Sequence, residues 1–445
     1  MTFTLALTGD SMITRGGLVA VDSQAQRLQS LIAGADVSFT NLEVVASDLA
    51  DPAYAGSQPG RDSAAFHSSG AFTPTLIAPA AVLDELPAMG IDVVAFANNH
   101  TLNLGVDGML DTVRQLRQRG LPCAGVGTTL EAASMPAYVD TPSGSVAVVG
   151  CSATFTPGDE ATRPSASMRG RPGLNPLRHR TKLGVPGAQL AAIAEAHRQL
   201  GLEEEMDYLR DMRFLGPDAP GEHTLFGSTF FASEPARVQT TCVPSDLDRI
   251  CRWVREAKAR AELAVVSVHS HENGRELVDP AGFLVDFAHA VVDAGADVVV
   301  GHGPHRVRGI ELYRGRPIFY SLGNFVGQFE LLSVLSSHSY DAFGAADERL
   351  PYEVIGGACL GFADDEEYWR SVVPVLTFDG DRLRRIDLHP ITLGFSAPLP
   401  QRGRPALAGP EQADAVLEDL RRLSAPFGTK IATDGGDAAV DLPAQ

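Results

Sequence analysis

Six apolar runs in this chain each stop at a residue able to bind a metal or move a proton. TFTLAL leads into Thr8, Gly9 and Asp10, and ADVSFT into Asn41, Leu42 and Glu43. IDVVAFA ends at Asn98, Asn99 and His100, and LAVVSV at His269, Ser270 and His271. ADVVV reaches Gly301, His302, Gly303, Pro304 and His305, and PIFYSL reaches Gly323 and Asn324. Short runs rich in Val, Ile and Phe, separated by helix-like stretches, read as parallel strands of an α/β fold. In open α/β sheets ligands gather outside the carboxyl ends of the strands, so six such endings point to one site.

Between these runs the spacing predicts helices over 21–33, 79–89 and 105–119. The last carries Val106, Met109, Leu110, Val113 and Leu116 at three- and four-residue intervals. From Cys151 to about Leu263 the alternation breaks. That insertion holds Gly-, Pro- and Arg-rich loops and two helical stretches, 187–201 and 246–259. Alternation resumes at Ala264, with a helix over 280–294, and runs to about residue 330. VVPVLTF and LRRIDLHPITL then read as antiparallel additions to the sheet, followed by a helix over 412–423 and a polar tail. The expected divisions are 1–150 and 264–330 for two halves of a core, 151–263 for a lid-like insertion, and 331–445 for a C-terminal extension.

The hydrophobic content of 44% is ample for a core. A formal net charge of -19 argues against nucleic acid as a partner, because such binding needs basic surface. The odd set Cys123, Cys151, Cys242, Cys251 and Cys359 contains no CxxC pair and reads as reduced thiols. No stretch approaches the ~18 apolar residues of a membrane span, and the expected setting is cytoplasmic, without a membrane partner. The sequence leaves the oligomeric state open.

Gly9-Asp10, Asn41-Leu42-Glu43, Ala97 to His100, Gly301 to His305 and Tyr320 to Phe325 resemble, as an ordered set, the CapA family of poly-γ-glutamate capsule biosynthesis. That group lies within the calcineurin-like metallophosphatases. The resemblance covers about residues 3–150 and 264–330. It implies an αββα sandwich with metal at strand ends, and puts Asp10, Glu43, Asn99, His100, His269 and His302 on metal and catalytic positions. Three departures stand out. Met12 replaces the His of an Asp-x-His ligand pair, Glu43 with Asn41 replaces a bridging aspartate motif, and an extra residue separates His302 from His305. A two-metal hydrolase needs a full ligand set for both ions. The expectation is therefore one divalent cation, Ca, Mg or Mn, held by Asp10, Glu43, Asn99 and His269, with no organic cofactor.

His100, His302, His305 and Asp10 are then the candidates for proton transfer, since imidazole titrates near working pH. Arg171, Arg178, His271 and Asn324 are candidates to bind substrate; the Arg-rich loop is either a solvated segment or a lid gripping a carboxylate. Asp10 also reads as a helix cap, Glu43 as a surface acid and Asn324 as a turn residue. The chain is further similar in type to the CapA-like epimerase of lasso-peptide biosynthesis. That likeness implies a peptide substrate whose C-terminal Cα is inverted. Amide or phosphoester hydrolysis is the alternative.

Overall fold

Strands rich in Val, Ile, Leu and Phe build two large sheets, and alternation along each strand decides what packs on either face. The computed structural model describes residues 2–19, 22–48, 75–335, 340, 344, 349–358, 363–434 and 437–442. Val21, His67, His338 and Cys359 lie outside the described residues.

Among the described residues the larger sheet has ten strands. At its centre Thr2–Met12 pairs in parallel with Val37–Leu42 and, on its other side, with Asn324–Gly327. Val93–Ala95 and then Cys123–Ala124 continue the parallel part. The second sheet has six strands, of which Arg316–Phe319, Val298–His302, Leu263–His269 and Gly144–Ser152 are parallel neighbours. Every residue of Leu263–His269 and Val298–His302 is buried. That explains why these strands read as unbroken apolar runs.

Val265, Val298 and Val300 join Phe3, Leu5, Leu7 and Phe39 of the larger sheet in one hydrophobic cluster. Their strand neighbours Val266, Val268 and Val299 pack instead with Ile250, Val254, Phe283 and Phe287 of the helices Pro244–Arg260 and Gly282–Asp293. On the larger sheet, Leu42, Val94 and Phe96 meet Leu28, Ile32, Met109 and Leu116 of the helices Ser23–Ala33 and Gly105–Gln118. Asp22 starts the first of these helices by accepting a hydrogen bond from the Gln24 amide.

Several expectations change in detail. Residues 79–89 form a short 3-10 turn, Ala80–Asp84, running into a four-residue α-helix, Glu85–Ala88. The segment 151–263 carries, besides its helices Gly187–Gln199, Leu202–Asp211 and Pro244–Arg260, a four-stranded sheet the sequence did not announce. Its strands, among them His179–Val185 and Arg237–Cys242, are half exposed and polar, so no apolar run marks them. Arg370–Asp379 and Arg382–Thr392 add in antiparallel fashion beside Thr2–Met12, as expected. The expected polar tail is corrected: Ile431–Asp434 and Asp437–Val440 form a hairpin on the sheet edge, with Ile431, Ala438 and Val440 buried. Among the described residues no helix is long and apolar enough to cross a membrane.

Candidate metal and acid-base centre

The first strand runs past the end of its apolar run to Met12, so Asp10 lies inside the sheet between Asn41 and Asn324. Gly9 makes this possible, because a Cβ there would sit 1.9 Å from the Gly323 carbonyl oxygen. Asp10 Oδ1 accepts from Asn41 Nδ2 at 2.8 Å, and Oδ2 accepts from the Gly303 amide at 3.0 Å. Gly303 has φ +108°, a conformation that glycine adopts without strain. His305, two residues on, holds φ +60°, where a side chain costs energy and marks a constrained position.

Around Asp10 the other strand ends converge. His302 Nδ1 lies 3.3 Å from Asp10 Oδ1, and His305 Nδ1 lies 3.6 Å from Oδ2. Glu43 Oε1 is 3.6 Å from His305 Nε2, 3.7 Å from His269 Nε2 and 4.0 Å from His100 Nε2. Asn99 Oδ1 meets His269 Nε2 at 2.9 Å. The rings of His269 and His271 are 4.9 Å apart, and those of His271 and His305 5.2 Å. Asn324 lies between His305, at 2.9 Å, and the Tyr368 carbonyl.

Nine of the eleven candidate site residues read from the sequence are therefore neighbours in one cage, Asp10, Glu43, Asn99, His100, His269, His271, His302, His305 and Asn324, joined there by Asn41, while Arg171 and Arg178 lie apart. Arg178 is committed to Asp246 through Nε at 2.8 Å and a second nitrogen at 2.9 Å. Arg171 holds the Glu160 carbonyl at 2.7 Å. Among the described residues no hydrogen bond or ion pair joins either arginine to the cage.

Charge inside the cage is unevenly held. Burial opposes ionisation of Asp10, but His302, His305 and His269 outweigh it and keep its carboxyl well below the usual range. Glu43 has no such balance: burial, and then repulsion from Asp10, push its pKa well up. Burial lowers His100 to about 4 and holds His269 and His271 well below the ordinary imidazole value. Both carboxylate oxygens of Glu43 are buried without a hydrogen-bond partner. An orphaned carboxylate beside a second carboxylate and neutral imidazoles is the donor set a divalent cation fits. Two groups bring their ligand atoms within 4.8 Å of one another: Glu43, His269 and His271, and Asp10, Glu43 and His305. His271 and His305 thus join the candidate ligands, to which the sequence had not assigned them.

Behind the cage, the sequence missed Thr154, Ser270 and Glu272. Glu272 Oε2 accepts from Thr154 Oγ1 at 2.8 Å and from Ser270 Oγ at 2.7 Å, and Thr154 Oγ1 accepts from the His271 amide. Thr154 follows the Gly144–Ser152 strand, a seventh apolar run, VAVVGCS, with no ligand type at its tip, whereas Ser270 and Glu272 follow Leu263–His269.

The pattern defining the family described as "Bacterial capsule synthesis protein PGA_cap" matches residues 4–328. Over 448 residues the chain is 34% identical to an uncharacterized protein, y4uA, of Sinorhizobium fredii, covering 96% of this chain and 91% of that one. It is 29% identical over 250 residues to a probable polyglutamine synthesis accessory protein of Mycobacterium tuberculosis, covering 56% of this chain and 49% of that one. To the PGA biosynthesis protein CapA of Bacillus subtilis it is 42% identical over 87 residues, 19% of this chain and 22% of that one. With most of its length matched and its strand-end motifs gathered in one cage, the chain belongs to the bacterial capsule synthesis (PGA_cap, or CapA) family.

Proposed function

We propose that the chain is a metal-dependent enzyme that moves a proton on a peptide, inverting the Cα of a residue. The observation that carries this reading is the unequal partnering of two histidines. His100 Nδ1 sits 2.8 Å from an amide, that of Asn103, whereas His302 Nδ1 faces the ionised carboxylate of Asp10 at 3.3 Å. One ring held by a neutral amide and the other set against a carboxylate are the paired surroundings expected of a base and an acid sharing one site.

In this scheme the bond from Cα to hydrogen breaks, and its proton passes to the Nε2 lone pair of His100. The electron pair delocalises onto the neighbouring carbonyl, and His302 returns a proton to the opposite face of Cα. His302 then holds the lone pair and His100 the proton, so the reverse reaction runs with roles exchanged. Each positioned proton transfer contributes about 100- to 10,000-fold in rate. A divalent cation would be held by Glu43 either with Asp10 and His305 or with His269 and His271, and would supply positive charge against the negative charge that builds on the carbonyl oxygen. Mixed carboxylate and imidazole donors favour Mn over Ca or Mg.

A peptide or amide substrate agrees with the capsule and polyglutamine names of relatives. The layered calcineurin-like sandwich, the core halves 1–150 and 264–330, the extension 331–445, and the segment 151–263 acting as a lid over a peptide belong to the same reading. So does a cytoplasmic setting, which the free thiols of Cys123, Cys151, Cys242 and Cys251 support. The second reading is metal-assisted amide hydrolysis, favoured by the orphaned oxygens of Glu43. Incubation with short peptides and glutamate oligomers in heavy water separates the two. Deuterium at Cα with the amide bonds intact is the expected result, and cleavage without Cα exchange would replace the first reading by the second.

A further inference from the structure

Histidine tautomers are normally ambiguous, and so is the orientation of an asparagine amide beside one. Here two backbone groups remove both ambiguities. The Leu76 amide lies 2.8 Å from one head-group atom of Asn103. A backbone N–H only donates, so that atom is the oxygen, Oδ1. The same oxygen lies 2.8 Å from His100 Nδ1, which must therefore carry the proton. At the other side of the cage the Tyr368 carbonyl lies 2.9 Å from one head-group atom of Asn324. A carbonyl only accepts, so that atom is the nitrogen, and the oxygen faces His305 Nδ1 at 2.9 Å. His305 Nδ1 carries its proton for the same reason.

We propose that Asn103 and Asn324 are positioning residues that lock His100 and His305 as Nδ1–H tautomers. Both rings then turn an Nε2 lone pair toward Glu43 Oε1, from 4.0 Å and 3.6 Å. Asn99 Nδ2 lies 3.3 Å from His100 Nε2 and donates into that lone pair. This in turn leaves Asn99 Oδ1 facing His269. One backbone amide thus orients three side chains in sequence: Asn103, His100 and Asn99. Asn324, expected from the sequence to touch substrate, acts through His305 instead. Asn103 is 1% exposed, with Nδ2 lacking a hydrogen-bond partner, so it is kept for its oxygen.

The catalytic consequence rests on the proton-transfer reading above, whereas the tautomers do not. The test is heteronuclear NMR of the full chain labelled with heavy-nitrogen histidine at neutral pH. His100 and His305 signals are assigned by their loss in His100→Gln and His305→Gln. Both rings should report a protonated Nδ1 and a bare or ligated Nε2. Asn103→Leu should turn His100 alone into a tautomer mixture, and Asn324→Leu should do so for His305 alone. Asn103→Asp, which retains the acceptor, should restore the Nδ1–H form. Each Leu variant should lose about 10- to 100-fold in Cα exchange, the usual cost of removing a partner behind a functional histidine. A protonated Nε2 on either ring of the native chain overturns the proposal, whether or not the variants fold. Unchanged tautomers in folded Leu variants overturn it too. The expected tautomers without Cα exchange would leave the positioning intact and remove the epimerase reading.

Discussion

The cage and the segment 151–263 are both rich in ionisable side chains, yet they use them in opposite ways. In the cage, partners come from strands far apart in the chain, as with His302 and Asp10 or His269 and Glu43, and both of these pairs are buried. In the segment most pairs are local and wet: Arg198 with Glu195, Arg210 with Asp207, Arg171 with Glu160. Surface pairs of this kind are worth about 0–1 kcal/mol, whereas desolvated groups shift each other's protonation strongly. The helix Leu202–Asp211 buries none of its residues. What separates a site from a decorated surface is burial at converging strand ends, not the abundance of His and Arg.

The sharpest way to break this contrast is at His302. His302→Ala should lower Cα exchange per folded molecule by about 100- to 10,000-fold. A variant that retains its rate would make His302 part of the packing rather than of the chemistry.

Next comes the one place where the segment behaves like the cage. Asp246 is fully buried and bonded to Arg249, itself buried, and to Arg178. Removing one partner of a buried pair costs about 3–5 kcal/mol. Asp246→Ala should therefore lower the melting temperature sharply while the folded fraction keeps its rate per molecule.

The same carboxylate predicts an acid limit. Burial opposes its ionisation, but the bonds from Arg178 and Arg249 prevail and hold its pKa below the ordinary 3.8. A lowered folded-state pKa means stability that is complete above the unfolded value and is lost as pH falls through the folded one. Denaturant midpoints of the native chain and Asp246→Asn should differ most above about pH 4 and converge below it. A constant difference down to the acid limit would mean that ionisation of Asp246 contributes nothing.

The smallest effect is expected at Phe214, 73% exposed in the segment. Phe214→Ser should change stability by less than about 0.5 kcal/mol, and a larger loss in chemical denaturation would reveal packing that exposure does not suggest.

Much of the site was legible because strand ends are a local signal. An apolar run that stops at Asp10, His100 or His302 is visible in one short window, and a parallel sheet brings such ends together. The antiparallel strands Arg370–Asp379 and Arg382–Thr392 were legible for the same reason. Asn103 and Glu272 were not, because neither ends an apolar run; each matters only through partners that the fold delivers. Gly303 carried a usable signal, a glycine between two histidines, whose meaning is the amide it turns toward Asp10. Arg171 and Arg178 misled in the other direction. Their composition suggested a carboxylate-gripping loop, but their acids were already in the chain, at Glu160 and Asp246. The exposed sheet of the segment and the terminal hairpin escaped notice because short polar strands leave little periodicity.

Metal content bears most directly on the cage as a working centre. The native chain and Glu43→Gln should be dialysed together against Mn, Mg and Ca, desalted, and analysed by mass spectrometry. The account predicts at least one divalent ion per native chain, Mn preferred, and its loss in Glu43→Gln. A native chain that retains no ion, or a variant that binds as well as the native chain, would contradict it.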